Sequence, residues 1–288
     1  MKKLSRTLFL LVALTYLLIV WGAVVRSSGS GLGCPDWPLC HGQIIPPFRK
    51  DVLIEYTHRL LASLVGFLTL GFAILVWLKK ELRILIGKWC GVALALLFVQ
   101  VGLGGVTVKT ELHPYVVATH LGVALVFLAV IFYMTLLVRS WTSAHQHIST
   151  SVQKSIWYRL SHYTLTVLFL QMILGSLVAA SNAGLACPDF PTCQGAWIPQ
   201  LTGLVGLHFL HRVGALLVLF MVCLLVVGKW GRGAVRFIFL LAVFQILLGI
   251  GNVLWGLPLW MRITHLGVAV LLFLALMVST YELRRESQ

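Results

Sequence analysis

The chain has 288 residues, 59% of them hydrophobic and only 10% charged, a balance that excludes both a water-soluble globular domain and a disordered chain. A net charge of +14 would suit a nucleic-acid partner if the basic residues formed one patch, but they are distributed between long apolar runs, which sets that class aside. What remains is a polytopic membrane protein.

Eight apolar runs follow in order, at about residues 7–25, 53–78, 84–107, 114–138, 160–180, 204–228, 234–254 and 260–281. Each is long enough to cross a hydrocarbon core of ~30 Å at ~1.5 Å per residue. The first follows Lys2, Lys3 and Arg6 as a signal peptide would, but its apolar stretch is longer than a signal core and a sister of it recurs before residue 180, so it reads as a mature helix. Loop 26–52 then carries Cys34-Pro35-Asp36-Trp37-Pro38-Leu39-Cys40-His41-Gly42. The second run opens with Glu55-Tyr56-Thr57-His58-Arg59, the third holds Gln100 and Gly104, and the fourth starts at Pro114 and contains Thr119-His120-Leu121-Gly122. A polar segment with His145 and His147 leads to the fifth run, which holds His162, Gln171 and Gly175. Loop 181–203 carries Cys187-Pro188-Asp189-Phe190-Pro191-Thr192-Cys193, the sixth run His208 and His211-Arg212, the seventh Gln245 and Gly249, and the eighth Thr264-His265-Leu266-Gly267.

Of the 22 Lys and Arg, 15 lie at one set of helix ends, from Lys2 and Lys3 to Arg284 and Arg285, so those ends are expected to be cytoplasmic. Both termini then lie inside, and loops 26–52 and 181–203 lie outside. Cys34, Cys40, Cys187 and Cys193 fall in those outer loops, where disulfides persist, and the simplest pairing is one short bridge per loop. A redox or haem-contacting role for Cys34 and Cys40 is the alternative. Cys90 and Cys223 sit singly in apolar helices and read as small buried hydrophobes.

The chain repeats itself. At an offset of 153 residues the first cysteine loop falls on the second and His58-Arg59 on His211-Arg212; at 145, Gln100 falls on Gln245 and His120 on His265. The expected fold is therefore all-α: eight transmembrane helices forming two parallel-repeat four-helix bundles, residues 1–140 and 155–288, joined by a cytoplasmic linker at 141–154.

Ionisable residues in membrane helices are functional candidates by default. His58 and His120 each lie about two turns, or ~10 Å, below the outer end of a helix, and His211 and His265 repeat that depth. Two imidazoles at one level on neighbouring helices can clamp the faces of a planar macrocycle, which makes each pair a candidate haem site. Four separately satisfied core histidines are the alternative; a zinc or di-iron site would recruit carboxylates or cysteines, of which each half offers too few. Glu55 stands one turn above His58 on the same face, fit to accept a proton or steer water at a haem edge, unless it merely complements the helix dipole. The second half has His208 in its place. Arg59 and Arg212 are candidates for haem propionates or lipid headgroups. Gln100, Gln171 and Gln245, each four residues before a glycine, suit close helix packing, with a role facing a bound cofactor as the alternative. Asp36 and Asp189 read as turn formers. His41 and His113 suit surface roles, His145 and His147 a solvated linker, and His162 no particular one.

Together the two cysteine loops, Glu55-Tyr56-Thr57-His58-Arg59, Thr119-His120-Leu121-Gly122 and their second-half copies resemble the haem A synthase family across essentially all eight helices. That resemblance implies a membrane oxidoreductase that oxidises the C8 methyl of haem O to the formyl of haem A for cytochrome oxidase, with water as oxygen source. It places substrate haem O between His58 and His120, resident haem b on the iron ligands His211 and His265, and the catalytic carboxylate at Glu55. It also implies an electron acceptor that the sequence does not identify, haem O synthase as a candidate partner, and a multi-pass plasma-membrane location with the haem sites toward the extracytoplasmic side. A homo-oligomer is compatible with it. The competing classes are a bis-haem cytochrome that only transfers electrons and a membrane thiol-disulfide oxidoreductase working through Cys34 and Cys40.

Overall fold

A computed structural model describes residues 2–143, 156–229 and 232–286. These form helices α1 (Lys2–Ser27), α2 (Lys50–Leu78), α3 (Lys80–Lys109), α4 (Pro114–Ser143), α5 (Ile156–Ala180), α6 (Gly203–Lys229), α7 (Gly233–Leu254) and α8 (Leu259–Glu286), with a short 3-10 turn at Ala183–Leu185. No strand occurs among the described residues; single bridges join Cys40 to Gln43 and Cys193 to Ala196. All eight helices are long and apolar enough to cross a membrane, and the protein is an all-helical, multi-pass membrane protein.

The helices outrun the apolar stretches that mark them. The second starts at Lys50 instead of 53, and the third begins at Lys80, with only Lys79 between it and the end of the second. An apolar window measures the hydrocarbon crossing, whereas Lys, Arg and Glu at its flanks are themselves good helix formers. Likewise α4 continues to Ser143, beyond the boundary expected at 140. The rest of the expected linker, with His145 and His147, lies outside the described residues. Pro114 opens α4, where its missing N–H is not needed.

Two compact units divide the chain, α1–α4 and α5–α8. In the first, α1 touches α2 and α4, and α3 touches the same two; the second repeats this ring with α5 and α7 each touching α6 and α8. Consequently α2 and α4 are diagonal, not neighbouring, and so are α6 and α8. The sequence expectation of adjacent histidine-bearing helices is corrected here. Short connections make α2 and α3, α3 and α4, α6 and α7, and α7 and α8 antiparallel neighbours, so α2 and α4, like α6 and α8, run the same way and face each other across the bundle interior.

Each unit is packed by one stripe of its last helix. In α4, Leu125, Leu128, Ile131, Met134 and Val138 are all at most 1% exposed, at helical spacing. Lipid is as apolar as leucine, so this stripe contributes dispersion and shape fit more than water exclusion. The outward faces stay apolar, as Phe67, Phe98 and Phe220 show. Between α5 and α8, the hydroxyls of Ser161 and Thr280 meet at 2.7 Å, a buried polar pair of the kind that fixes helix register in lipid.

Candidate functional site

The site is built from the cysteine loops downward. Cys34 is bonded to Cys40 and Cys187 to Cys193. The first bridge packs on Val52 and Tyr56 of α2, and the loop comes so close that a Cβ on Gly33 would lie 2.5 Å from the Asp51 carbonyl oxygen. Asp36 closes its loop by accepting the N–H of His41 at 2.6 Å and of Gly42 at 2.7 Å. These bonds, the Gly42 amide foremost, hold its carboxyl below the usual carboxylate range. Asp189 does the same for Gln194 and Gly195 and also takes the Thr192 hydroxyl, which chiefly accounts for a pKa drawn down to about 2. Both residues are the turn formers that Cys-Pro-Asp suggests.

One turn inside α2, Glu55 latches the loop to the helix. One carboxylate oxygen accepts the Cys34 N–H at 2.9 Å and the other meets Arg59 at 2.6 Å. Arg59 also donates to the carbonyls of Cys34, Asp36 and Leu39. Arg59 and Arg212, the candidates for haem propionates, are in this structure engaged by loop carbonyls. An i,i+4 spacing from Glu55 and a disulfide loop folded back over the helix bring those acceptors within reach. The second half repeats the device with a neutral partner: Arg212 donates to the carbonyls of Cys187, Asp189 and Thr192, and His208 Nδ1 accepts the Cys187 N–H at 3.3 Å. The latch is ionic in the first half only.

Below the latch, each of the four expected histidines lies against a glycine of an odd-numbered helix. A Cβ built on Gly22 would stand 3.3 Å from the His58 ring, on Gly104 3.7 Å from His120, on Gly175 2.7 Å from His211, and on Gly249 3.3 Å from His265. Three of the rings also receive a glutamine amide, Gln100 on His120 at 3.2 Å, Gln171 on His211 at 2.9 Å and Gln245 on His265 at 3.1 Å. The Gln and Gly spacing suggests helix packing for these glutamines; the structure adds their contact with the histidines, which the spacing alone does not reveal. A signal lies in its repetition, but periodicity does not say which helix the amide faces. Gly22 had a signal too, since it stands at the same 153-residue offset from Gly175.

A family model for a cytochrome oxidase assembly protein matches residues 5–53 and 47–277. A haem A synthase of Alkalihalophilus pseudofirmus is 31% identical, with 94% of each chain covered. One of Halalkalibacterium halodurans is 31% identical over 90% of each, and one of Shewanella oneidensis 31% identical over 99% of this chain and 98% of its own. The chain belongs to the haem A synthase family.

Haem A synthases bind haem, and the residues present suit it. Buried Nδ1 atoms of His58, His120 and His265 make no hydrogen bond. For His120 and His265 the other ring nitrogen is held by glutamine, so each ring has one supported nitrogen and one buried lone pair or N–H still to satisfy. The glycines keep side-chain bulk away from the rings. Among the described residues, no three His, Cys, Asp or Glu side chains gather as a protein-built metal site would require. Two imidazoles on diagonal helices would need no such cluster to hold a haem, because a porphyrin brings its own nitrogen donors.

Proposed function

We propose that this member of the haem A synthase family converts the C8 methyl of haem O to a formyl group, with haem O held in the first unit between His58 and His120 and haem b in the second between His211 and His265. The supporting observation is that one duplicated architecture, histidine against glycine on diagonal helices, differs between its copies in the charge above the ring. Glu55 stands where the second copy has a neutral His208. A duplicate that only conducted electrons would need no such difference.

Balanced overall, methyl plus one water gives formyl, four protons and four electrons, in two oxidations through an alcohol and a hydrated aldehyde. Glu55 is the group that takes protons at the first site. Cys34 N–H and Arg59 orient its carboxylate, and the disulfide holds Cys34 in place for that purpose. Haem b supplies one-electron transfer toward an acceptor outside the chain. His211 and His265 would hold it, and the burial of the Nδ1 atoms of His58, His120 and His265 keeps them from bulk water. The cysteine loops and both sites are assigned to the extracytoplasmic side of the plasma membrane because the basic helix ends lie opposite them. Haem O synthase is the partner whose product this reaction consumes.

The test is reconstituted protein incubated with haem O, an electron acceptor and isotopically labelled water, followed by pigment extraction. Labelled haem A from wild type and its absence from Glu55→Ala, with bound haem unchanged, are expected. Equal product from Glu55→Ala removes that residue's role, and haem b with no hydroxylated or formyl product from wild type favours an electron-transfer cytochrome.

A further inference from the structure

Three of the four histidines are held by a glutamine placed four residues before the glycine that faces the ring. Gln100 precedes Gly104, Gln171 precedes Gly175 and Gln245 precedes Gly249. The fourth glycine is Gly22, and the residue four before it is Leu18. His58 has a buried Nδ1 without a hydrogen bond, as His120 and His265 also have, whereas in the repeat-equivalent residue His211 that atom receives Gln171 at 2.9 Å.

A second position changes in step. The Gln171 amide also donates to the His211 carbonyl at 2.6 Å, bridging the ring and the backbone of one residue. It reaches that place only because Gly214 has no side chain, since a Cβ there would collide with the Gln171 amide oxygen. The residue at the equivalent position in the first half is Leu61. An amide with a glycine in one unit thus corresponds to two leucines in the other, and the leucines can neither donate to the His58 ring nor accept from it.

We propose that Gln171 is a positioning residue that clamps His211 as a permanent iron ligand, and that Leu18 with Leu61 leaves His58 unclamped, the ligand that lets go when substrate haem enters and product haem leaves. The proposal rests on the assignment of the two haem sites given above. A ligand histidine normally has its second nitrogen supported, which fixes ring orientation and raises basicity. A primary amide can serve either state of the ring: it donates N–H to a bare Nδ1 as here, and turned over it accepts from an Nδ1–H at the expense of its bond to the His211 carbonyl. A resident cofactor gains from such support. A turnover site that must exchange a macrocycle at each cycle is slowed by it, because release of the iron would need the ring to swing against the clamp.

The experiment uses the full-length protein in detergent with haem b bound, and measures haem transfer to excess apomyoglobin together with the midpoint potential. Gln171→Met, which keeps length and volume but cannot hydrogen-bond, is expected to speed loss of the second-unit haem by about 10- to 100-fold and to raise its midpoint potential, as the imidazole becomes a weaker donor. Leu225→Ala, a core change on α6 far from the ring, is expected to lower thermal stability while leaving both readings unchanged. In protein loaded with a second equivalent of haem to fill the first unit, the transplant, Leu18→Gln with Leu61→Gly, is expected to slow transfer of first-unit haem at least tenfold, and an unchanged rate overturns the role given to the two leucines. Haem b that depends on His211 but exchanges at the wild-type rate and potential in Gln171→Met overturns the clamp and leaves the site assignment standing. Wild-type protein whose haem is insensitive to His211→Ala overturns the assignment itself. Equal responses in Gln171→Met and Leu225→Ala also overturn the proposal, since they reduce Gln171 to packing.

Discussion

The contact between ring and glycine gives a graded prediction. Alanine at Gly175 would place its Cβ 2.7 Å from His211 Cε1, against a comfortable carbon contact of about 3.5 Å or more, so the ring or α5 must yield by roughly 0.8 Å. The ring cannot swing freely, because Gln171 ties both its Nδ1 and its backbone carbonyl. Overpacking of this kind costs about 1–3 kcal/mol, and it falls on the ligand while the helix itself gains up to about 1 kcal/mol from the lost glycine. Haem affinity of the second unit should therefore drop about 5- to 150-fold with the helix intact. Gly249→Ala meets its ring at 3.3 Å and should lose less. In the first unit Gly22→Ala, at 3.3 Å, should weaken haem binding, and Gly104→Ala, at an ordinary 3.7 Å, should leave it near wild type. Haem content per protein after purification, followed by titration of stripped protein with haem, gives the order directly. Wild-type affinity in Gly175→Ala, or a larger loss from Gly104→Ala than from Gly22→Ala, would refute the idea that these glycines exist to seat the rings.

The two latches should differ in strength. Arg59→Ala strands the buried Glu55 carboxylate as well as three carbonyls, at a cost of about 3–5 kcal/mol, whereas Arg212→Ala strands carbonyls and a neutral ring; scanning calorimetry should show the larger fall in midpoint for Arg59→Ala. His265→Ala should yield protein without its low-spin haem b spectrum, and a normal spectrum would remove His265 from the ligand set. Asp189 is depressed in the folded loop, so its contribution is complete above the ordinary value near ~3.9 and disappears as pH falls through about 2. Hydrogen exchange at the Gln194 and Gly195 amides should accelerate over that window, and Asp189→Asn should show fast exchange at every pH; protection that does not change down to pH 2 would count against the carboxylate as the anchor.

Some of this was legible in the sequence because it depends on composition and spacing alone. Eight apolar runs must become helices, since backbone polar groups in lipid have no other way to be satisfied within one segment. The duplication, the cysteine loops and the depth of His58, His120, His211 and His265 follow from linear distances along those helices. Rotation about a helix axis and the choice of partner helix do not. Those decide that Arg59 turns upward into the disulfide loop, that α2 and α4 oppose each other across the interior, and that Gln171 reaches His211 over Gly214. Such contacts join residues tens of positions apart through helix faces that only packing sets, so tertiary structure alone could distinguish a clamped ring from an unclamped one.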